Sequence, residues 1–239
     1  AVDASDGDLL FPLERPEGRS PRILVVGDSV AQSLGRVMTA DSNELGIRVD
    51  NVGTPQCGVG TFEGRIQLES GQILEGDSPR CQEWHSLHEA YVTGSDPDLV
   101  IYDFGGAQRG ALQIDGRWES ACSPAHDRWY ERAVRSDLET LRTTGAPVAV
   151  TTMAYNRFGV PPRDPTAQDR AVDCLNRRLV AVAADTPGVE ILDMGEWVCP
   201  SEECAETKDG ATLREDGLHY DGDGGSVAAR WVVEETYGV

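Results

Sequence analysis

Short apolar runs alternate with amphipathic stretches along most of the chain, and this alternation constrains the fold more than any other feature. Residues 22–26, Arg-Ile-Leu-Val-Val, form a run of largely β-branched character closed by Gly27, the pattern of a strand buried on both faces. Residues 29–40 follow with Val30, Leu34, Val37 and Met38 on one helical face. The pattern repeats. Residues 47–52, 99–104 (introduced by Pro97), 147–152 and 189–193 read as further strands. Segments near 82–92, 127–143, 167–184 and 226–237 read as helices, the second with Trp129, Ala133, Leu138 and Leu141 expected inward. The Gly-rich stretch after residue 52 reads as long and irregular. Strands alternating with helices imply a parallel sheet covered on both faces. The predicted fold class is therefore α/β: a three-layer α/β/α sandwich with a five-stranded parallel sheet, of flavodoxin-like type. Ligands on such sheets bind beyond the carboxyl ends of the strands, near a switch in strand order.

Composition narrows the function classes. The chain has 239 residues, enough for one sizeable core and short for two. No run approaches the ~18 apolar residues that span a bilayer. A formal net charge of −20 argues against nucleic acid as a partner, because phosphate contacts need a basic surface, and an anionic membrane face would repel it. Residues 1–20 are acidic, contain Pro12 and Pro16 and lack periodicity; they read as a linker or tether, with residues 21–239 as the folded domain. A chain opening on Ala1 rather than Met reads as a mature or excised piece of a parent protein.

The six cysteines, Cys57, Cys81, Cys122, Cys174, Cys199 and Cys204, are even in number, and none forms a CxxC pair. They fit three disulfides in an oxidising compartment, although spacing alone selects no pairing. The alternative is a zinc site begun by Cys199 and Cys204, for which no other Cys or His pair has matching spacing.

Chemistry is signalled at two places. Gly27-Asp28-Ser29 stands directly after the first strand, so Ser29 sits at a strand's carboxyl end and at a helix N-terminus. Free backbone N–H groups and the helix dipole favour negative charge there, which suits a nucleophile whose attack creates an oxyanion. Ser and Asp are also ordinary N-caps. Near the other end, Asp216-Gly217-Leu218-His219 precedes the last helix. A serine hydroxyl needs a base to take its proton, and a histidine serves when a carboxylate fixes its tautomer and stabilises its cation. A lone DxxH is more often a surface turn; its weight comes from a position at which a loop can return to the first strand's end. Other groups carry less. His85, His88 and Glu89 read as an exposed helix face, and Asp221 and Asp223 lack a full calcium-ligand pattern. For most of Trp84, Trp118, Trp129 and Trp197, core packing is the assignment. No metal and no cofactor is expected; a phosphate-cradling glycine loop with its Lys is missing.

Together the GDS block after strand one, the parallel strand order and the DxxH block before the last helix resemble the SGNH (GDSL-type) hydrolase superfamily, over residues 21–239. The resemblance implies the SGNH hydrolase fold, with Ser29 as nucleophile, His219 as general base and Asp216 as its orienting partner. More closely, the chain looks like the extracytoplasmic SGNH domain fused to bacterial membrane acyltransferases, especially those of actinobacteria. The features are Gln56-Cys57-Gly58, Cys81 with Trp84, Cys174-Leu175-Asn176, Val198-Cys199-Pro200 with Cys204, and residues 213–219. This likeness implies the disulfides Cys57–Cys81, Cys122–Cys174 and Cys199–Cys204. It also implies a membrane acyltransferase domain N-terminal to this piece, and a place on the outer face of the cell membrane or in the secreted fraction. The implied substrate is an acylated glycan or small acyl ester, with a small acyl group such as acetyl.

Two positions depart from the family pattern. Its second block places a Gly whose N–H lines the oxyanion hole; counting from Asn51, Gln56 takes that place, with Gly53 or Gly58 equivalent if the loop is shifted. Its third block reads Gly-x-Asn-Asp, and here the stretch is Gly105-Gly106-Ala107-Gln108, with Gln108 beside the position that lost its donor. The expected oxyanion donors are therefore Ser29, Gln56 and Gln108. The expected function is serine-dependent acyl transfer through an acyl-serine, as esterase or O-acyltransferase. The rivals are a glycan-binding or acyl-relay accessory domain of low activity, and a free-standing secreted esterase.

Overall fold

The computed structural model describes residues 11–68, 71–76, 78–104, 110–157 and 165–238. Its centre is a five-stranded parallel sheet in the order β2 (Arg48–Asn51), β1 (Arg22–Gly27), β5 (Leu99–Asp103), β8 (Val148–Thr151), β9 (Val189–Leu192). Period-two alternation sorts each central strand between two cores. Ile23, Val25, Leu99, Ile101 and Ala149 face one core; Leu24, Val26, Val100, Tyr102, Val148 and Val150 face the other. On the first face α1 (Ser29–Ala40) packs on α7 (Gly222–Tyr237), and short α6 (Met194–Val198) adds Met194 and Val198. On the second, α4 (Pro124–Leu141) packs on α5 (Pro165–Ala184), and α3 (Pro79–Ser95) leans on α4. These are the three layers expected from the alternation. The chain leaves β1 toward β2 on one side and later reaches β5 on the other, so the strand order reverses at the carboxyl end of β1.

Two sequence expectations are corrected. The stretch read as irregular contains β3 (Arg65–Gln67) and β4 (Ile73–Glu75), which join β6 (Ala111–Ile114) and β7 (Arg117–Glu119) in a four-stranded antiparallel sheet ordered β4-β3-β6-β7. Strands of three or four residues are too short to show alternation. Their turns were the available signal: Asp115-Gly116 joins β6 to β7 with both residues at positive φ, the two-residue hairpin that favours Asp-Gly. Asp209-Gly210 does the same between β10 (Thr207–Lys208) and β11 (Ala211–Thr212). In α4 the fully inward positions are His126, Tyr130, Val134, Leu138 and Leu141, while Trp129 and Ala133 are only half-buried. The frame is turned because the helix starts at Pro124, capped by Ser123, whose hydroxyl accepts the His126 N–H. The tryptophans divide: Trp129 and Trp197 are half-buried and pack against the two cores, as expected. Trp118 is exposed under the Arg65 guanidinium, and Trp197 stacks on Trp231 at 4.7 Å, both rings half-buried; the Trp84 side chain lies outside the described residues.

All six cysteines pair, as Cys57–Cys81, Cys122–Cys174 and Cys199–Cys204. The first ties the loop after β2 to α3, and the second ties the start of α4 to α5. Residues 11–19 run along the domain: Leu13 N–H donates to Thr236 O, Arg15 reaches the carbonyls of Leu45 and Gly46, and Arg19 holds Asp98. No helix among the described residues is long and apolar enough to cross a membrane.

Candidate active site

The site begins where β1 ends. Gly27 has φ +151, and a Cβ there would lie 1.7 Å from the Asp103 carbonyl oxygen, so only glycine lets β1 and β5 close at this level. Asp28 is the N-cap of α1, its carboxylate accepting the Val30 N–H at 2.8 Å, and Ser29 is the first helical residue. The nucleophile candidate therefore stands half-buried at the switch in strand order.

His219 arrives from the loop between β11 and α7. Its Nε2 lies 2.9 Å from Ser29 Oγ and its Nδ1 2.6 Å from Asp216 Oδ2. Asp216 Oδ1 accepts the backbone N–H groups of Leu218 and His219, both at 2.8 Å. Burial pushes the Asp216 carboxyl up, but the His219 ring and these two N–H groups outweigh it and hold the group below its ordinary value. An ionised carboxylate only accepts, so Nδ1 carries the proton and Nε2 is left to accept from the serine hydroxyl. Ser29, His219 and Asp216, singled out from two distant motifs, form one continuous hydrogen-bonded line.

Residues that sequence reasoning missed hold that line in place. Ser33, one turn beyond Ser29 on α1, is buried; its Oγ donates to Val30 O and accepts the Tyr220 N–H at 3.1 Å. Helix α1 thus carries both the serine and an anchor for the residue after His219. The i, i+4 spacing of Ser29 and Ser33 was the legible signal. Arg214 donates to Tyr155 O at 3.0 Å, and Arg157 N–H donates to Gly217 O, pinning the DxxH loop to the segment after β8.

The loop after β2 completes the site's floor. Gly53 lies so close to α1 that a Cβ would meet Gln32 N at 2.4 Å, and its N–H already donates to Asn51 Oδ1. Gly53 is therefore removed as a free oxyanion donor. Thr54 N–H donates to Gly27 O at 2.8 Å, which presses the loop against the serine turn. Thr54, Pro55, Gln56 and Cys57 then form a turn closed by Cys57 N–H to Thr54 O. Pro55 at its second position and a left-handed Gln56, φ +67, make it type II in pattern. That geometry favours Gly at the third position, so Gln56 occupies a glycine-type site. Gln108, with Gly105, Gly106 and Ala107, lies outside the described residues.

Beneath the serine turn lies a group the sequence did not flag. Asp103, at the end of β5, is buried with Oδ1 accepting from Thr151 Oγ1 at 2.6 Å and Oδ2 unpartnered. Burial, aided by the neighbouring Asp28 charge and opposed by the Thr151 bond, pushes its pKa up to about 7. No cluster of three His, Cys, Asp or Glu among the described residues offers a metal site. Asp221 caps α7 and pairs with Arg36, and the side chains of His85, His88 and Glu89 are outside the described residues.

A parallel three-layer sheet with a Ser–His–Asp line at its switch point defines the SGNH class of fold. The sequence family described as "SGNH domain (fused to AT3 domains)" matches residues 4–228, and the chain belongs to that family. Solved structures share the fold. A GDSL-like lipase from Bacteroides thetaiotaomicron is 13% identical over 94% of this chain and 93% of its own, with TM-score 0.55. An acetylxylan esterase from Geobacillus stearothermophilus is 19% identical over 91% of this chain and 94% of its own, with TM-score 0.54. Among curated proteins none matches the sequence.

Proposed function

We propose that the domain is a serine-dependent acyl-transfer enzyme working on acylated glycans or small acyl esters outside the cytoplasm. The observation that carries this reading is the Ser29–His219–Asp216 line, at 2.9 and 2.6 Å. Ser29 Oγ attacks the ester carbonyl while His219 Nε2 takes its proton. The resulting imidazolium, held by Asp216, returns that proton to the departing alkoxide, leaving an acyl-serine. Water or a sugar hydroxyl then attacks the acyl carbon, with His219 again accepting the proton and returning it to Ser29. The oxyanion donors in this reading are the backbone N–H groups of Ser29 and Gln56, with Gln108 as a side-chain candidate. Loss of one such donor costs on the order of 10²–10³ in rate, which fits a modest enzyme.

Membership in a family fused to AT3 domains supports a membrane acyltransferase domain as partner, handing its acyl group to Ser29 for delivery to a glycan. The three disulfides support an oxidising, extracytoplasmic setting. The second reading, a relay or glycan-binding domain with little turnover of its own, is favoured by Gln56 and by Ala107 in the third block. Labelling with a fluorophosphonate and mapping the adduct by mass spectrometry tests the choice. Modification of Ser29 that disappears in His219→Ala is the expected result. A folded, unlabelled wild type points to the second reading.

A further inference from the structure

The antiparallel sheet stands over the loop after β2 and the start of α4, and encloses a cavity of about 380 Å³. Its wall is a cross-strand row. Ile66 on β3 is in register with Leu74 on β4 and with Leu112 on β6, so all three point to one face. Val59, Phe62 and Trp129 close the other side, the two rings meeting edge to face at 5.5 Å. Among the described residues, none that lines the cavity carries a charge, although 26% of the chain is charged and its net charge is −20. Such a lining selects a neutral, flexible apolar ligand.

The cavity's position relates it to the serine. Its edge includes Gln56 and Gly58 on one side and Gly110 on the other. The first two leave β2 and the third follows β5, the two strands that flank β1. Gln56 belongs to the turn whose Thr54 bonds to Gly27 O, two residues before Ser29. Ser29 and His219 do not themselves line the chamber; Gln56, which does, belongs to the turn that ties it to the serine. At about 30 Å³ per water-sized group, the chamber has room for roughly a dozen such groups.

Resting on the acyl-serine reading above, we propose that this cavity binds the acyl chain of the substrate, and that the enzyme takes chains of roughly eight carbons in preference to acetyl. Each methylene buried there raises kcat/KM by up to about fourfold.

The experiment measures kcat/KM for p-nitrophenyl acetate, butyrate, hexanoate and octanoate on the wild type and on Leu74→Trp and Ile66→Trp, with circular dichroism of each. Binding of octanamide and acetamide to Ser29→Ala, with and without Leu74→Trp, is measured by calorimetry. The expected result is a rise of at least 50-fold from acetate to octanoate, an octanoate-to-acetate ratio cut at least tenfold by either tryptophan, and octanamide binding that Leu74→Trp removes. A flat or falling profile overturns the proposal, as does a preference that survives both tryptophans in folded protein. If neither variant folds, octanamide binding to Ser29→Ala decides in their place. Should no ester of any length turn over while octanamide binds and Leu74→Trp abolishes it, the cavity stands and the acyl-serine reading falls. Turnover of acetate with no binding of octanamide has the opposite meaning.

Discussion

The two sheets of this domain are built to different standards. In the parallel sheet, every residue of β5 and β8 is buried, and all of β1 after Arg22. In the antiparallel sheet, β4 and β7 are mostly exposed and β3 is half-buried throughout. A strand buried on both faces is fixed by many neighbours at once, and an error in it costs core packing. A short strand with one wet face is held by a turn and a few cross-strand pairs. The two regions stand differently toward the Ser29–His219 pair: the inner sheet ends in the turn that presents Ser29, and, among the described residues, the outer sheet meets that turn only through the loop of Thr54 and Gln56.

Substitutions should separate these regions by size of effect. Ser29→Ala, in the first turn of α1 at the end of the inner sheet, is expected to lower kcat on p-nitrophenyl acetate by about 10⁴–10⁶-fold with an unchanged melting curve. Asp216→Asn should cost about 10⁴-fold, because an amide facing Nδ1 can stabilise the wrong tautomer. Gly27→Ala is a stability experiment. With Asp103 O 1.7 Å from the new Cβ, it should lose more than about 4 kcal/mol in urea unfolding, if the variant folds at all. At the far end of the scale, Gly116→Ala in the β6–β7 turn meets no atom within 4 Å and should cost only about 1 kcal/mol, from its positive φ. A loss at Gly116 as large as that at Gly27 would erase the contrast.

Between these lies a pH effect rooted in the inner sheet. Folding raises the Asp103 pKa to about 7, and burial likewise raises that of Asp137, under the Tyr102 hydroxyl and the Gly60 N–H, to about 6. The unfolded carboxyls release their protons near pH 4. The folded state therefore binds extra protons between those values. Stability from these groups is full below about pH 4 and is lost as pH rises through 6 and 7. Asp103→Asn should remove at most about 4 kcal/mol of that loss, seen as a flatter unfolding free energy between about pH 4 and 7. Asp216 acts in the opposite sense: its lowered pKa contributes stability above the unfolded value that is lost as the pH falls.

What the sequence made legible follows the same division. The five parallel strands announced themselves by apolar runs in alternation with helices, and Ser29, Asp216 and His219 by their places after the first strand and before the last helix. The outer sheet stayed hidden because its strands are short and mostly half-buried or exposed, so no apolar run marks them, although Asp115-Gly116 marked one hairpin. Asp103 was illegible for another reason: a buried carboxyl looks like any other until the fold shows what it faces, whereas Ser33 left only its spacing from Ser29 as a sign. Gln56 was found by counting from Asn51, but its left-handed backbone, and the occupied N–H of Gly53, needed coordinates.

Ser33 has one more consequence. Because α1 bears both the serine and the hydroxyl that fastens Tyr220, the spacing of the two reacting groups is written into a single rigid rod. Strands β3, β4, β6 and β7 contribute nothing to that rod. The outer strands can therefore be rewritten in sequence without moving Ser29 against His219.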